Sequence, residues 1–204
     1  MSELPGSLAA AVAATSVTEW LAVSLALAYL GLAIRLIRWC WLCALLSAGL
    51  YAMLMFRAGL YMESALQIFY MALAVYGWRQ WQAGARGRSA RVVVTWPAAL
   101  HGPGVILIVL LTLVSGAALS RVGTAAFPFL DSFTTWGAVV ATWLTARKVL
   151  QSWHYWFVID SVSIYLYVER ELALTAALFI VYLVLIVAGY RTWRGRLPAA
   201  PAAL

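Results

Sequence analysis

Asp160 is the residue whose type and position ask most of their surroundings. It lies twelve positions after Lys148 and nine before Glu169, within an otherwise apolar run. A carboxylate in the middle of a membrane span is costly, so it faces a cavity or a partner and marks a functional site by default. At helical spacing Trp153, Trp156, Asp160, Ser163 and Tyr167 gather on one stripe. Aromatic faces beside an acid suit a flat or cationic ring, held by stacking and cation–π attraction. The alternative is a protonated Asp160 hydrogen-bonded between helices, with the tryptophans as interfacial anchors, a role for which Trp153 is well placed near its span's end. In an earlier run Gln67, Tyr70, Gly77 and Trp81 share a face. The Gln67 amide must point inward, either to a ligand or to a neighbouring helix. Thr134, Thr135 and Thr142 add hydroxyls that serve a ligand or bond their own backbone four residues back. Cys40-Trp41-Leu42-Cys43 has the dithiol spacing of a membrane thiol–disulfide oxidoreductase. These are the only two cysteines, so no second pair exists for a relay, and small buried thiols are the plainer reading. Two distant histidines, His101 and His154, do not suggest a metal or haem site. No catalytic constellation, metal site or cofactor is expected.

The elements that carry these residues are membrane spans. The chain has 204 residues, of which 65% are hydrophobic and 10% charged. A soluble domain has about half and a quarter. Seven runs approach the roughly 17 to 25 residues needed to cross a bilayer. They are Thr18 to Ile34, Trp39 to Phe56, Leu60 to Trp78, Leu100 to Leu119, Phe129 to Ala146, Trp153 to Val168 and Leu172 to Tyr190. No basic residue precedes Arg35, so the stretch from Met1 to Thr18 lacks the basic region of a signal peptide and is expected to remain. Eleven of the fourteen basic residues follow odd-numbered spans: Arg35, Arg38, Arg79, Arg86, Arg88, Arg91, Arg147, Lys148, Arg191, Arg194 and Arg196. Only Arg57, Arg121 and Arg170 fall in the opposite loops. The positive-inside rule then puts the N-terminus outside and the C-terminus in the cytoplasm. The acidic residues Glu3, Glu19, Glu63, Asp131, Glu169 and Glu171 sit at outer ends, leaving Asp160 alone in mid-span. Although the net charge is +7, no soluble stretch is long enough to form a nucleic-acid face, and the basic residues read as topology signals. The longest loop, Arg79 to Pro97, is a short Gly- and Arg-rich connector near anionic headgroups.

Displaced by 112 residues, the sequence repeats itself: Tyr70 falls on Tyr182, Leu73 on Leu185, Gly77 on Gly189, Arg79 on Arg191 and Trp81 on Trp193. The same shift sets Trp41 on Trp153, Arg35 on Arg147 and Glu19 on Asp131, without a gap across three spans. Two three-helix units of like orientation need one extra helix between them. The expectation is an all-α integral membrane protein of seven spans in a 3+1+3 parallel-repeat, SWEET-like arrangement. Residues 18–81 form the first repeat, 100–119 the linking helix and 129–193 the second, in a single transmembrane domain. The substrate site of such an arrangement lies near mid-membrane between the repeats. As repeat mates, Tyr70 and Tyr182 are placed to line it from opposite sides.

Tyr76-Gly77-Trp78-Arg79-Gln80-Trp81 resembles the Tyr-Gly-Trp-x-x-Trp signature closing the third core helix in the PnuC family of vitamin transporters. Asp131 with Thr134 and Thr135, Trp143-Leu144, Ala146-Arg147-Lys148, Trp153 and Trp156 with Asp160, and Tyr182 with Gly189, Tyr190 and Trp193 follow the same family's pattern, from about Glu19 to Trp193. The resemblance implies a facilitator in the bacterial inner membrane that works without ATP. It would carry nicotinamide riboside, or thiamine, riboflavin or a nucleoside, with a cytoplasmic vitamin kinase trapping the product. A homo-oligomer is compatible with it. Trp153, Trp156, Asp160, Gln67 and Tyr182 occupy positions that resemble the family's vitamin site, and Tyr70 and Thr134 complete the expected binding set. The chain contains no asparagine, where family members often carry one at the positions of Cys40 and Asp160. An acid at 160 suits the nicotinamide cation or the thiazolium of thiamine.

Overall fold

The structure, a computed structural model, describes residues 16–57, 61–83, 93–122, 126–170 and 172–198. Glu3, Arg86, Arg88, Arg91 and Glu171, and most of the connector after Trp81, lie outside the described residues, as does the side chain of Glu63. Among the described residues the chain forms seven helices and no named strand: α1 (Val17–Ile34), α2 (Cys40–Arg57), α3 (Tyr61–Ala83), α4 (Ala98–Val122), α5 (Pro128–Ala146), α6 (Ser152–Glu169) and α7 (Ala173–Arg194). Each falls on one of the seven expected spans. The largest differences are at the ends of α3 and α7, which continue through Arg79, Gln80 and Arg191 to Ala83 and Arg194. Long polar side chains are good helix formers and reach the headgroup layer from a helix end, so the apolar run stops before the helix does.

Four helices, α1, α2, α4 and α7, are long and apolar enough to cross a membrane by length and composition. The other three are 23, 19 and 18 residues long and carry more polar side chains. On α4, Leu100, Ile106, Leu107, Leu110, Leu113 and Val114 are each about half exposed or more. So much bare aliphatic surface on one helix is expected of a lipid-facing element and not of one bathed in water.

The chain divides into two compact units, Met1–Gly87 and Arg88–Leu204. In the first, α2 packs against both α1 and α3; in the second, α4, α5, α6 and α7 pack each against the next. Polar ties supplement these contacts, as apolar burial alone cannot hold helices together in lipid. Ser47 Oγ donates to Ala22 O at 2.9 Å across α1 and α2, and Ser64 Oγ donates to Ala52 O at 2.9 Å across α2 and α3.

The same local geometry occurs in both units, 112 positions apart. Helices α1 and α5 end on residues with left-handed backbone, Leu36 at φ 57° and Lys148 at φ 56°. Around Leu36, its own N–H bonds Ala33 O and the next N–H, of Ile37, bonds Leu32 O; around Lys148, the pairs are Lys148 to Thr145 and Val149 to Leu144. Both are Schellman closures, usually built on glycine, and a left-handed non-glycine residue costs about 1–2 kcal/mol. Immediately beyond each turn an indole lies on a glycine. A Cβ on Gly77 would meet Trp41 Cε2 at 2.4 Å, and one on Gly189 would meet Trp153 Cη2 at 2.4 Å. A second indole closes each stack edge-on, Trp81 at 5.7 Å from Trp41 and Trp193 at 5.3 Å from Trp153, both at 87°.

In the second unit the segment before α4 is sewn to the α5–α6 turn. Val94 N–H donates to Lys148 O and Leu150 N–H to Val94 O. The Gln151 amide accepts from Trp96 N–H at 3.2 Å and donates to Trp96 O at 2.9 Å. Trp96 packs with Trp143 and Tyr155 on the buried cluster of Ile108, Val140, Leu144 and Val149. Helix α4 therefore belongs physically to the second unit.

Candidate functional site

Helix α6 is held from two directions, and the candidate site is the wedge between them. Toward α7, Trp153 is 2% exposed and rests on Gly189 and Trp193. Toward α5, Ile159 packs on Gly137, where an added Cβ would stand 3.0 Å from Ile159 Cγ1. With Trp153 at the origin, Ile159 lies about 120° around the helix, and Asp160, Tyr167, Trp156 and Ser163 fall between them at about 20°, 40°, 60° and 80°. The chemically interesting stripe thus lies on the arc of α6 between its packing contacts with α5 and with α7.

Asp160 is 4% exposed and Ser163 6% exposed. Among the described residues Asp160 has no hydrogen-bond or ion-pair partner. Its carboxylate therefore carries an unmet demand for a donor or a cation in a setting where an unpaired charge is expensive. Trp156, half-buried, donates Nε1–H to Thr145 Oγ1 at 3.3 Å, and Thr145 donates to Ala141 O at 2.8 Å. The indole plane is thereby fixed from α5. On the α7 side Tyr167 meets Phe179 with ring centroids 5.1 Å apart, and Phe179 meets Tyr182 at 5.4 Å. At the far end of the stripe Arg170 forms an ion pair with Asp131 on the first turn of α5. The wedge offers a buried acid, a fixed indole, a serine hydroxyl and a row of aromatic rings.

The expected binding residues distribute unevenly over this geometry. Asp160, Trp156 and Tyr182 border the wedge. The Trp153 ring packs at the α6–α7 interface, as the Trp41 ring does at the α2–α3 interface, and both indole N–H groups are buried with no acceptor among the described residues. Thr134 directs its hydroxyl to Asp131 O at 3.0 Å, and Thr142 to Ala138 O at 2.7 Å, so both spend their proton on their own helix. Gln67 and Tyr70 are half-buried on α3 in the first unit, and Gln67 has no hydrogen-bond partner among the described residues. Cys40 and Cys43 are free thiols one turn apart on α2, and Cys40 is fully buried at 0% exposure. Cys43 is half-buried, and a pair with one thiol closed to solvent is unlike the accessible thiols that disulfide exchange requires. Sequence reasoning passed over Arg170, Thr145 and Phe179. Arg170 continues the spacing of Asp160, Ser163 and Tyr167 and was legible on that ground; the other two required the contact partners.

The comparisons with known proteins agree with this membrane architecture. Residues 16–195 match the family described as nicotinamide mononucleotide transporter. A riboflavin/roseoflavin transporter, RibM, of Streptomyces davaonensis is 29% identical over 183 residues, covering 83% of this chain and 80% of the relative. The nicotinamide riboside transporter PnuC of Escherichia coli is 24% identical over 174 residues, 73% of each chain. Among solved structures, that of a vitamin B3 transporter PnuC superposes with a TM-score of 0.65 at 20% identity, covering 87% of this chain and 80% of the other, which is a likeness of fold. The matched region contains all seven helices with their duplicated Trp-on-Gly stacks, and the relatives are transporters and not enzymes. This chain, a multi-pass protein of the bacterial inner membrane, therefore belongs to the nicotinamide mononucleotide transporter family.

Proposed function

We propose that the protein carries nicotinamide riboside, or a closely related vitamin such as thiamine, down its gradient by alternating access, one repeat rocking against the other. The observation that carries this reading is Asp160, a buried carboxylate without a partner among the described residues, next to an indole fixed by Thr145. A pyridinium or thiazolium ring supplies the missing positive charge and a flat face for the indole. The arginine on the same stripe, Arg170, is already neutralised by Asp131, so the wedge offers a phosphate group no spare cation there. That favours the uncharged ribose of a nucleoside over its phosphorylated form.

Riboflavin is the second reading, favoured by the 29% identity to the Streptomyces riboflavin/roseoflavin transporter. Its flat ring suits the aromatic row of Tyr167, Phe179 and Tyr182 but brings no cation to Asp160. In either case the arginine distribution supports a cytoplasmic C-terminus, where a vitamin kinase would make uptake unidirectional. The reading requires the lipid bilayer and the small-molecule substrate; a homo-oligomer is compatible with it and not needed. The test is purified protein in vesicles loaded with neither ATP nor a proton gradient, given labelled nicotinamide riboside, thiamine, riboflavin or a nucleoside. Nicotinamide riboside is expected to equilibrate faster than in empty vesicles. If none of the four enters faster, the reading fails.

A further inference from the structure

In the first unit an arginine lies over two indoles, one exposed and one half-buried. Arg38 Cζ lies 5.7 Å from the Trp39 ring centroid and 5.6 Å from that of Trp78, and the two indoles meet edge-on at 5.1 Å. Arg38 is exposed and has no carboxylate partner among the described residues, and Trp39 is 51% exposed. Arg79, also exposed, follows Trp78 directly. From Trp39 an apolar track runs along one face of α2 at spacings of three, four and seven: Leu42 is 38% exposed, Leu46 49% and Met53 37%. One end of the surface is a fixed cation between aromatic rings, and the rest is a bare aliphatic strip about the length of a leaflet.

We infer that this surface is a docking site for one anionic phospholipid, its phosphate at Arg38 and an acyl chain along Leu42, Leu46 and Met53. Tryptophan rings settle at headgroup depth, and an arginine at that depth attracts anionic headgroups. Stacking on two indoles orders the guanidinium before the lipid arrives, so less side-chain entropy is lost on binding. The second unit provides the contrast. There Arg147 stacks over Trp143 and Trp96 at 4.7 and 5.8 Å, but those indoles pack on the buried cluster of Ile108, Val140, Leu144 and Val149.

The experiment is a titration of detergent-solubilised protein with phosphatidylglycerol, read by native mass spectrometry as the affinity for the first retained lipid. Arg38→Gln is expected to weaken it about fivefold, the factor for one arginine at an anionic surface. Arg57→Gln, at the opposite end of α2, should leave it unchanged, and phosphatidylethanolamine should bind the parent more weakly and ignore Arg38→Gln. Equal affinities for the parent and Arg38→Gln, or an equal loss with Arg57→Gln, would overturn the site. Displacement of the lipid by millimolar glycerol phosphate would overturn it too, by reducing it to a plain anion site.

Discussion

Replacing Gly189 by alanine tests the packing logic of the whole scaffold at one atom. The added Cβ would stand 2.4 Å from Trp153 Cη2, with Cζ2 and Cζ3 both at 2.6 Å. Carbon atoms pack best about 3.5–4.0 Å apart, so the indole must retreat by about 1 Å or more. It has little room to do so: Trp153 is 2% exposed and its other edge meets Trp193, itself 0% exposed. Overpacking of this kind costs about 1–3 kcal/mol, partly offset by the roughly 1 kcal/mol that alanine gains over glycine inside a helix. With the indole this confined, the expected net effect is a loss of up to about 2 kcal/mol, read as a lower midpoint in thermal or SDS unfolding in micelles. Gly77→Ala, against Trp41, should behave alike, since its nearest contact is also 2.4 Å. Gly31→Ala is the control: no atom lies within 4 Å of its added Cβ, so it should be neutral or slightly stabilising. A smaller partner should relieve the clash, making the double variant Gly189→Ala with Trp153→Leu less damaged than the sum of its parts. Stability of Gly189→Ala equal to that of Gly31→Ala, or strict additivity in the double variant, would refute the claim that the indole is seated on the glycine.

Four further outcomes follow from the second unit and from α2. Asp160→Asn keeps shape and hydrogen bonding but removes the charge; calorimetry should record a loss of about tenfold, roughly 1.4 kcal/mol, for a cationic vitamin and little change for an uncharged analogue. Equal losses for both ligands would mean that the charge is not read. Arg170→Asp or Asp131→Arg should each slow uptake, whereas the charge-swapped double variant should recover it; because the two side chains are 32% and 28% exposed, unfolding midpoints should move by no more than about 1 kcal/mol. Thr145→Val removes the acceptor for Trp156 Nε1, and a weakening of vitamin binding by about 0.5–1.5 kcal/mol, with a shift in indole fluorescence, is expected. Cys40→Ala with Cys43→Ala should leave uptake intact in the vesicle assay, and abolition of uptake in a well-folded double variant would restore the dithiol reading.

Much of the fold was legible because a bilayer leaves little choice. Backbone polar groups in lipid must be satisfied within a helix, so length and apolar content nearly determine the elements. The duplication was legible because Trp41, Gly77 and Trp81 recur at one offset as Trp153, Gly189 and Trp193. The roles of those residues were not. An indole that stacks on a ligand and an indole that packs on a glycine have the same identity and the same helical spacing, and only the contact of Trp153 with Gly189, 36 positions away, distinguishes them. For Thr134 the residue type left two uses open, a ligand or its own backbone, and it took the contact with Asp131 O to show that the hydroxyl proton goes to the backbone. The Asp131–Arg170 pair spans 39 residues, and nothing local announces which of several loop arginines an acid will choose.

The duplication itself separates scaffold from site. Whatever holds a three-helix unit together is needed twice, so it should survive in both copies, whereas a group that handles one asymmetric small molecule has no reason to be duplicated. The left-handed turns at Leu36 and Lys148 and the Trp-on-Gly stacks obey the first rule. The wedge obeys the second. Shifted back by 112 positions, Asp160 falls on Ala48, Trp156 on Ala44 and Tyr167 on Met55, so the first unit has no acid and no indole at those places. In the other direction Gln67 falls on Phe179, while Tyr70 and Tyr182 remain a matched pair. By this argument Trp153, matched by Trp41 in type, burial and contacts, belongs to the frame. On the α6 stripe, Asp160, Trp156 and Tyr167 are the groups that the duplication does not account for. Under the function proposed above this is the expected pattern, since a ligand with a charged ring at one end and a ribose at the other is itself unsymmetrical and calls for groups that are not duplicated.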